Sequence, residues 1–151
     1  MVRESRGLHR PWVYPPINAE AFGAYSDRSC SERNFRCLIC HGSTEAIIGS
    51  SSLTEIVRGV FQSAYLGFYG HVRYSGRGFM KEGLRLLLRS AFRKLKLHRV
   101  EANVQSGNER SLGLIRSLGF LREGFSPRYL KVGGKWRDHE RWALLAEQWK
   151  E

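Results

Sequence analysis

Residues 73–78 read Arg73-Tyr74-Ser75-Gly76-Arg77-Gly78 and run directly into an apolar pattern of helical period. The first amides of a helix have no partner inside it and lie at the positive end of its dipole. Glycines let that backbone come close to a phosphate, and Arg73 and Arg77 add two charges. A polyanion is the ligand that such a turn would take; a plain glycine turn is the alternative. Two common phosphate loops are excluded. No Gly-x-x-x-x-Gly-Lys-Ser/Thr run occurs, and Lys81 stands where the dinucleotide fingerprint needs its third glycine.

A second string, Cys37-Leu38-Ile39-Cys40-His41, matches the attachment site of a c-type haem. Its context argues against that chemistry. The segment has strand character, which sends Cys37 and Cys40 to opposite faces. Zinc needs a second ligand pair at finger spacing, and none follows. Buried structural cysteines are the expectation, with no metal. Three cysteines (Cys30, Cys37, Cys40) also suit a reducing cytosol better than a disulfide framework.

The elements that must hold the glycine loop can be read from pattern. Pro11, Pro15 and Pro16 make residues 10–17 an extended loop. Asn18 is placed to cap a short helix carrying Ala21, Phe22 and Tyr25. Phe35–His41, Glu45–Thr54 and Val60–Tyr69 are strand-like, and turns at Gly42 and Arg58-Gly59 make them an antiparallel meander. From Gly78 to about Lys96 apolar residues fall at Met80, Leu84, Leu87, Leu88, Ala91, Phe92 and Leu95, with Lys81, Arg85, Arg89 and Arg93 opposite. Residues 99–105 alternate as a strand should. A shorter helix follows from Asn108 to Leu118, stopped by Gly119. Strands 120–132 and 135–146 are joined at Gly133-Gly134. The order predicts an α+β fold with one central sheet, and a right-handed crossover between parallel strands across residues 64–105.

Composition bounds the rest. The chain has 151 residues, 42% of them hydrophobic, and a net charge of +11. One ordinary domain with a real core is expected. No apolar run approaches the roughly 18–20 residues of a membrane helix, and no secretory signal follows Met1. So basic a surface favours an anionic partner.

Taken together these segments resemble the GNAT N-acetyltransferase superfamily. Arg73-x-x-Gly76-x-Gly78 is similar to its acetyl-CoA pyrophosphate loop. Asn108-Glu109-Arg110-Ser111, followed by Leu118-Gly119-Phe120, is similar to the asparagine, helix and "LGF" segment after the fifth strand of that fold. Residues 97–103, with Glu123-Gly124-Phe125 and Trp136-Arg137-Asp138-His139, resemble the branch that acetylates ribosomal-protein N-termini, above all the ribosomal-protein alanine acetyltransferases. The likeness covers roughly residues 8–150.

The resemblance implies a single α+β domain over 1–151. Residues 1–34 form an irregular loop and helix region and 35–146 the sheet core. That core is a mixed sheet of about six strands that splays between the family's fourth and fifth strands. Acetyl-CoA would lie in the splay. The backbone of Leu66, Gly67, Phe68 and Tyr69 would pair with the pantetheine amides and offer an N–H to the thioester oxygen. Residues Arg73, Gly76, Arg77 and Gly78 would hold the pyrophosphate, while Asn108 and Ser111 would face the thiol end. Glu101 stands where related enzymes carry a base, and could take the amine's proton directly or through water; its alternative role is a salt bridge with a nearby arginine. Many relatives place an acidic tyrosine where this chain has Ile115, so Ser111 is the first substitute and Tyr129 the second. Trp12 and Tyr14, after the family's "Pro-Trp" loop at Pro11-Trp12, would line the acceptor site; ordinary packing is the alternative. The family's first strand has no counterpart here, which would expose the edge of strand 35–41 unless something covers it.

The implied activity is transfer of an acetyl group to a primary amine by direct attack in a ternary complex. The preferred acceptor is a protein N-terminal α-amine, whose pKa near 8 calls for only mild base help. Polyamines or aminoglycosides are the small-amine alternative. From another class, a non-catalytic module could dock on RNA or ribosomes through Lys81, Arg85, Arg89 and Arg93, although that stripe lacks interleaved aromatics. The remaining expectations are a cytoplasmic monomer or dimer, associated with ribosomes and not with membranes.

Overall fold

The computed structural model describes residues 1–27 and 32–150; Cys30 and residues 28–31 of the polar stretch lie outside the described residues. Asn18 caps as its side chain suggests: Oδ1 accepts the Ala21 N–H at 2.8 Å and opens helix α2, Ala19–Asp27. Strands β1 (Phe35–Cys40), β2 (Ile47–Val57) and β3 (Ser63–Gly70) form the expected antiparallel meander. β2 and β3 start two to three residues later than alternation alone suggests. Glu45 and Gln62 take positive φ at those starts, and Val60 projects into solvent.

Helix α3 spans Phe79–Arg89, with Leu84, Leu87 and Leu88 buried. Its pattern continues to Leu95, but residues Ser90–Lys94 widen into a π-turn, marked by the Leu95 N–H donating to the Ser90 carbonyl at 2.9 Å. Ala91 and Phe92 still face the core through this turn. Then follow β4 (Arg99–Gln105), α4 (Glu109–Ser117), and the hairpin β5 (Leu121–Val132) with β6 (Lys135–Leu145).

The six strands make one mixed sheet in the order β1-β2-β3-β4-β6-β5. The β3/β4 pair is parallel and every other pair antiparallel. β1 lies at an edge. One core cluster joins the strands to α3 and α4, where Leu84, Leu88, Leu112 and Ile115 are at most 1% exposed. Burial of each such side chain is worth about 1.5–3 kcal/mol. Val100, Ala102 and Val104 of β4 belong to that cluster. Strand alternation therefore turns Glu101 and Asn103 to the opposite face.

That second face is crossed by residues 1–17, including a helical turn absent from the sequence expectations, α1 at Arg6–His9. His9 donates from Nε2 to the Gly70 carbonyl (2.7 Å), since that carbonyl can only accept. The Val72 N–H donates to Ser5 Oγ (3.0 Å), and Gln105 Nε2 donates to the Trp12 carbonyl (2.8 Å). The segment thus straps the end of β3 to the end of β4. The cysteines depart from expectation: Cys37 is only half-buried, 3.2 Å from Ser51 Oγ, and Cys40 is exposed. A shift of register between Ile39 and Cys40 lies at that end of the edge strand. Among the described residues no helix is long and apolar enough to cross a membrane, and no cluster of three His, Cys, Asp or Glu could hold a metal.

Candidate active site

β3 and β4 run side by side for only three rungs, Ser63↔Arg99, Ala64↔Val100 and Tyr65↔Glu101. Both strands then continue without pairing to each other, β3 through Leu66, Gly67, Phe68 and Tyr69 to Gly70 beside β2, and β4 to Gln105. β4 instead pairs with β6 along its whole length. A wedge opens beyond Glu101, lined on one side by the backbone of a strand that has lost its neighbour. Unpaired strand edges bind extended, amide-bearing chains.

Beyond β3 the chain makes a tight turn at Val72–Tyr74 and reaches Gly76 and Gly78, with φ of 75° and 82°. Those angles favour glycine, and a methyl on either residue would meet nothing within 4 Å. Gly78 caps α3 without a side-chain hydrogen bond. No described residue accepts from the amides of Gly76, Arg77 or Gly78. A helix N-terminus of eleven residues is thus presented with open donors and open space. Arg77 rests over the Phe79 ring at 5.4 Å, and Arg73 is 71% exposed, its Nε 3.0 Å from Glu4. Burial lowers the pKa of His71, whose Nδ1 accepts the Arg73 N–H and fixes the turn. Tyr74 packs among His71, His41 and Phe79. These residues suit a polyphosphate.

At the closed end of the wedge Glu101 accepts from Arg99 Nε at 2.8 Å. Arg99 forks onto both oxygens of Glu123, one at 3.0 Å. The bond to Glu123 and that to Glu101 hold the guanidinium cationic above its ordinary range, and Arg99 pulls the Glu123 carboxyl below its own. The salt bridge expected as Glu101's alternative role is therefore present, and both side chains are mostly covered. Tyr65 lies opposite Glu101; burial, then the neighbouring Tyr129 hydroxyl, raises its pKa. Tyr129 arrives from β5 because that strand breaks register between Ser126 and Leu130. Arg128 adopts φ 46° there, and its N–H donates to Asp138 Oδ1 at 2.7 Å. The Tyr129 ring also meets His139 edge-on at 6.1 Å, and burial depresses the pKa of that histidine. Asn103 Oδ1 is buried on the Glu101 face with no partner among the described residues.

The other expected positions fall as follows. Asn108 Oδ1 accepts the Ser111 N–H at 3.3 Å and caps α4, so it acts at least as a helix cap. Ile115 is fully buried in the core. Trp12 sits beside Gly107, and Tyr14 lies against Gly133 in the β5–β6 turn, so tightly that a methyl there would meet its ring at 2.5 Å. Residues 12 and 14 thereby join the wedge to the hairpin. Sequence pattern did not single out Tyr65, His9, His71 or the Arg99–Glu123 fork. Only the spacing of Arg99 and Glu101, two apart on a strand, carried a signal for one of them.

The family model of the acetyltransferase (GNAT) domain matches residues 2–121. The chain belongs to the GNAT family. The probable N-acetyltransferase YjcK of Bacillus subtilis is 36% identical over 121 residues, covering 80% of this chain and 67% of YjcK. The [ribosomal protein uS5]-alanine N-acetyltransferase of Escherichia coli is 39% identical over 103 residues, 68% of this chain and 53% of that enzyme. This GNAT chain thus aligns with between about half and two thirds of the length of these curated relatives. Mycobacterium smegmatis RimJ, solved in complex with CoA-disulfide, shares the fold with a TM-score of 0.85 at 24% identity, covering 97% of this chain and 75% of that one.

Proposed function

We propose that this GNAT chain transfers the acetyl group of acetyl-CoA to the N-terminal α-amine of a polypeptide. The observation that carries the reading is the wedge. Pairing of β3 and β4 stops at Glu101, and the glycine loop with open amides lies beyond β3. Bound acetyl-CoA would supply an acyl thioester, the carbon that the amine attacks. The free edge at Leu66–Tyr69 would hold an extended arm carrying amides. Gly76, Arg77 and Gly78, with Arg73 released from Glu4, would take the pyrophosphate. Asn108 and Ser111 stand at the start of α4, next to the far end of β4.

Glu101 is the base that receives the amine's proton, held in orientation by Arg99 Nε. The Arg99–Glu123 fork fixes that guanidinium, so Arg99 has a partner whichever proton Glu101 holds. Tyr129, carried by the register break of β5, offers its hydroxyl to the departing sulfur; Ser111 is the other donor. Trp12 and Tyr14 flank the acceptor's approach. The relation to a ribosomal-protein alanine acetyltransferase favours a protein N-terminus over a small amine.

Calorimetry with acetyl-CoA, followed by thiol release with Ala- and Ser-starting peptides, polyamines and aminoglycosides, tests this. Peptide-dependent release is expected. Turnover of polyamines alone would reassign the acceptor, and failure to bind acetyl-CoA would sink the proposal.

A further inference from the structure

Within the strap, residues 2–17 line a half-open cavity of about 360 Å³. Arg3, Arg6 and Arg10 line it, together with His9, Tyr14 and Ile17. Arg3 uses one of its donors, Nε, on the Ile17 carbonyl at 3.1 Å. The Arg10 guanidinium lies 4.7 Å from the centre of the Tyr14 ring. Neither contact brings a counter-charge. Among the described residues no acidic side chain lines the cavity. Glu4, in the same stretch, is turned outward onto Arg73 and His71. Three exposed cations thus ring one concave, largely apolar space with no carboxylate among the described residues that line it, and a cleft lined by one sign of charge attracts the other.

The cavity's position says what kind of anion it would meet. His9 in its wall is bonded to Gly70 on β3, and Tyr14 touches Gly133 in the hairpin turn. Both residues are part of the strap whose Trp12 carbonyl is held by Gln105 of β4. The space therefore borders the proposed acceptor approach. Its volume suits one or two side chains rather than a folded partner. A polycationic acceptor would be repelled there.

We propose that this cavity is a specificity subsite for an acidic side chain of the acceptor polypeptide, a few residues after its α-amine. The proposal rests on the reading of the chain as a polypeptide N-acetyltransferase. Guanidinium groups pair with carboxylates through two parallel hydrogen bonds, and the apolar walls take the methylenes of a glutamate.

The test uses the whole chain and two Ala-starting peptides that differ only in carrying two Glu or two Gln at positions 3–6. Calorimetry measures each peptide with and without CoA, and thiol release measures turnover. The Glu peptide is expected to bind about tenfold more tightly and to show a correspondingly lower KM. The difference should shrink in about 0.5 M salt, where exposed charges are screened. Arg6→Gln with Arg10→Gln should abolish the preference, while Arg6→Lys with Arg10→Lys should keep part of it. Equal affinity for the two peptides in a protein that binds CoA and acetylates both would overturn the subsite and leave the acetyltransferase reading intact. A protein that shows the Glu preference by calorimetry but neither binds acetyl-CoA nor releases thiol would overturn the acetyltransferase reading instead. Binding of an RNA oligonucleotide that is lost in Arg6→Gln with Arg10→Gln, with no preference between the peptides, would assign the cavity to nucleic acid and refute the proposal. The peptide comparison needs no variant, so a misfolded mutant cannot decide it.

Discussion

Glu101→Gln separates a base from a structural ion pair, because Arg99 has two carboxylate partners. The amide oxygen of Gln can still accept from Arg99 Nε, now 2.8 Å from Glu101 Oε1. What disappears is the charge. Arg99 keeps its fork onto Glu123, so no unpaired cation is left behind. The Arg99 and Glu101 side chains are 23% and 18% exposed. After screening, loss of the charge term should cost about 1 kcal/mol or less. For a chain of this size that lowers the thermal midpoint by about 2–4 °C. If Glu101 accepts the amine's proton, kcat should fall about 10²–10⁴-fold.

Glu123→Gln is the matched control. It removes a carboxylate from the same guanidinium, at a similar cost in stability, but Glu123 lies outside the three rungs where the wedge begins. Its kcat should change by less than about threefold, ~0.6 kcal/mol. Thiol release with an Ala-starting peptide from pH 6 to 9.5 reads both variants, with melting curves alongside. Equal losses in the two variants would show that Glu101 acts only by steadying Arg99. A Glu101→Gln enzyme within about threefold of the parent, ~0.6 kcal/mol, would remove the base from the mechanism altogether.

Three further outcomes follow from the same geometry. Gly78→Ala meets no atom but must hold φ 82°. It should cost about 1 kcal/mol and weaken acetyl-CoA binding by calorimetry, whereas Gly7→Ala, with equal space and no positive φ, should do neither. Ile115→Tyr supplies the tyrosine that the resemblance implies at this place, but into a position with no exposure; it should destabilise by about 1–3 kcal/mol and leave kcat no higher, as melting and turnover will show. Stability should fall on the acid side in two stages. Burial lowers the folded pKa of His71 and His139, so their contribution is complete above the unfolded value near 6.5 and is lost as pH falls from there through the lowered folded value. The Arg99 pair lowers the pKa of Glu123, so its contribution is complete above roughly 4.5 and is lost below that. A thermal midpoint flat from about pH 8 to pH 5 would contradict the first stage, and one flat from about pH 5 to pH 2.5 the second.

What pattern could and could not reveal divides along the range of the interactions. The meander, the crossover, the cap at Asn18 and the Gly133-Gly134 turn are local, each specified by residues within a few positions. The four-residue α1 carries no periodicity to detect. It is held by partners 61 and 67 positions away, at Gly70 and Val72, acting on His9 and Ser5. Tyr129 is similar. Alternation would place it in a regular strand, two strands from β4, and it reaches Tyr65 only because β5 breaks register before Leu130. Cys40 was expected inside on average hydrophobicity, yet it ends an edge strand. The wedge itself was expected from resemblance alone, since both strands continue with good alternation past Glu101. β4 satisfies one edge with β6 over seven rungs and keeps the other for β3 over three, while the strap bonds to Gly70 and Gln105 at the far ends. A ligand that fills the wedge must therefore meet backbone already held apart from both sides, and the opening does not have to be made at the moment of binding. Preorganisation of this kind predicts that loosening the strap, for example with His9→Ala, should weaken acetyl-CoA binding although His9 belongs to the acceptor side. An affinity unchanged in a folded His9→Ala protein would show that the strands diverge on their own.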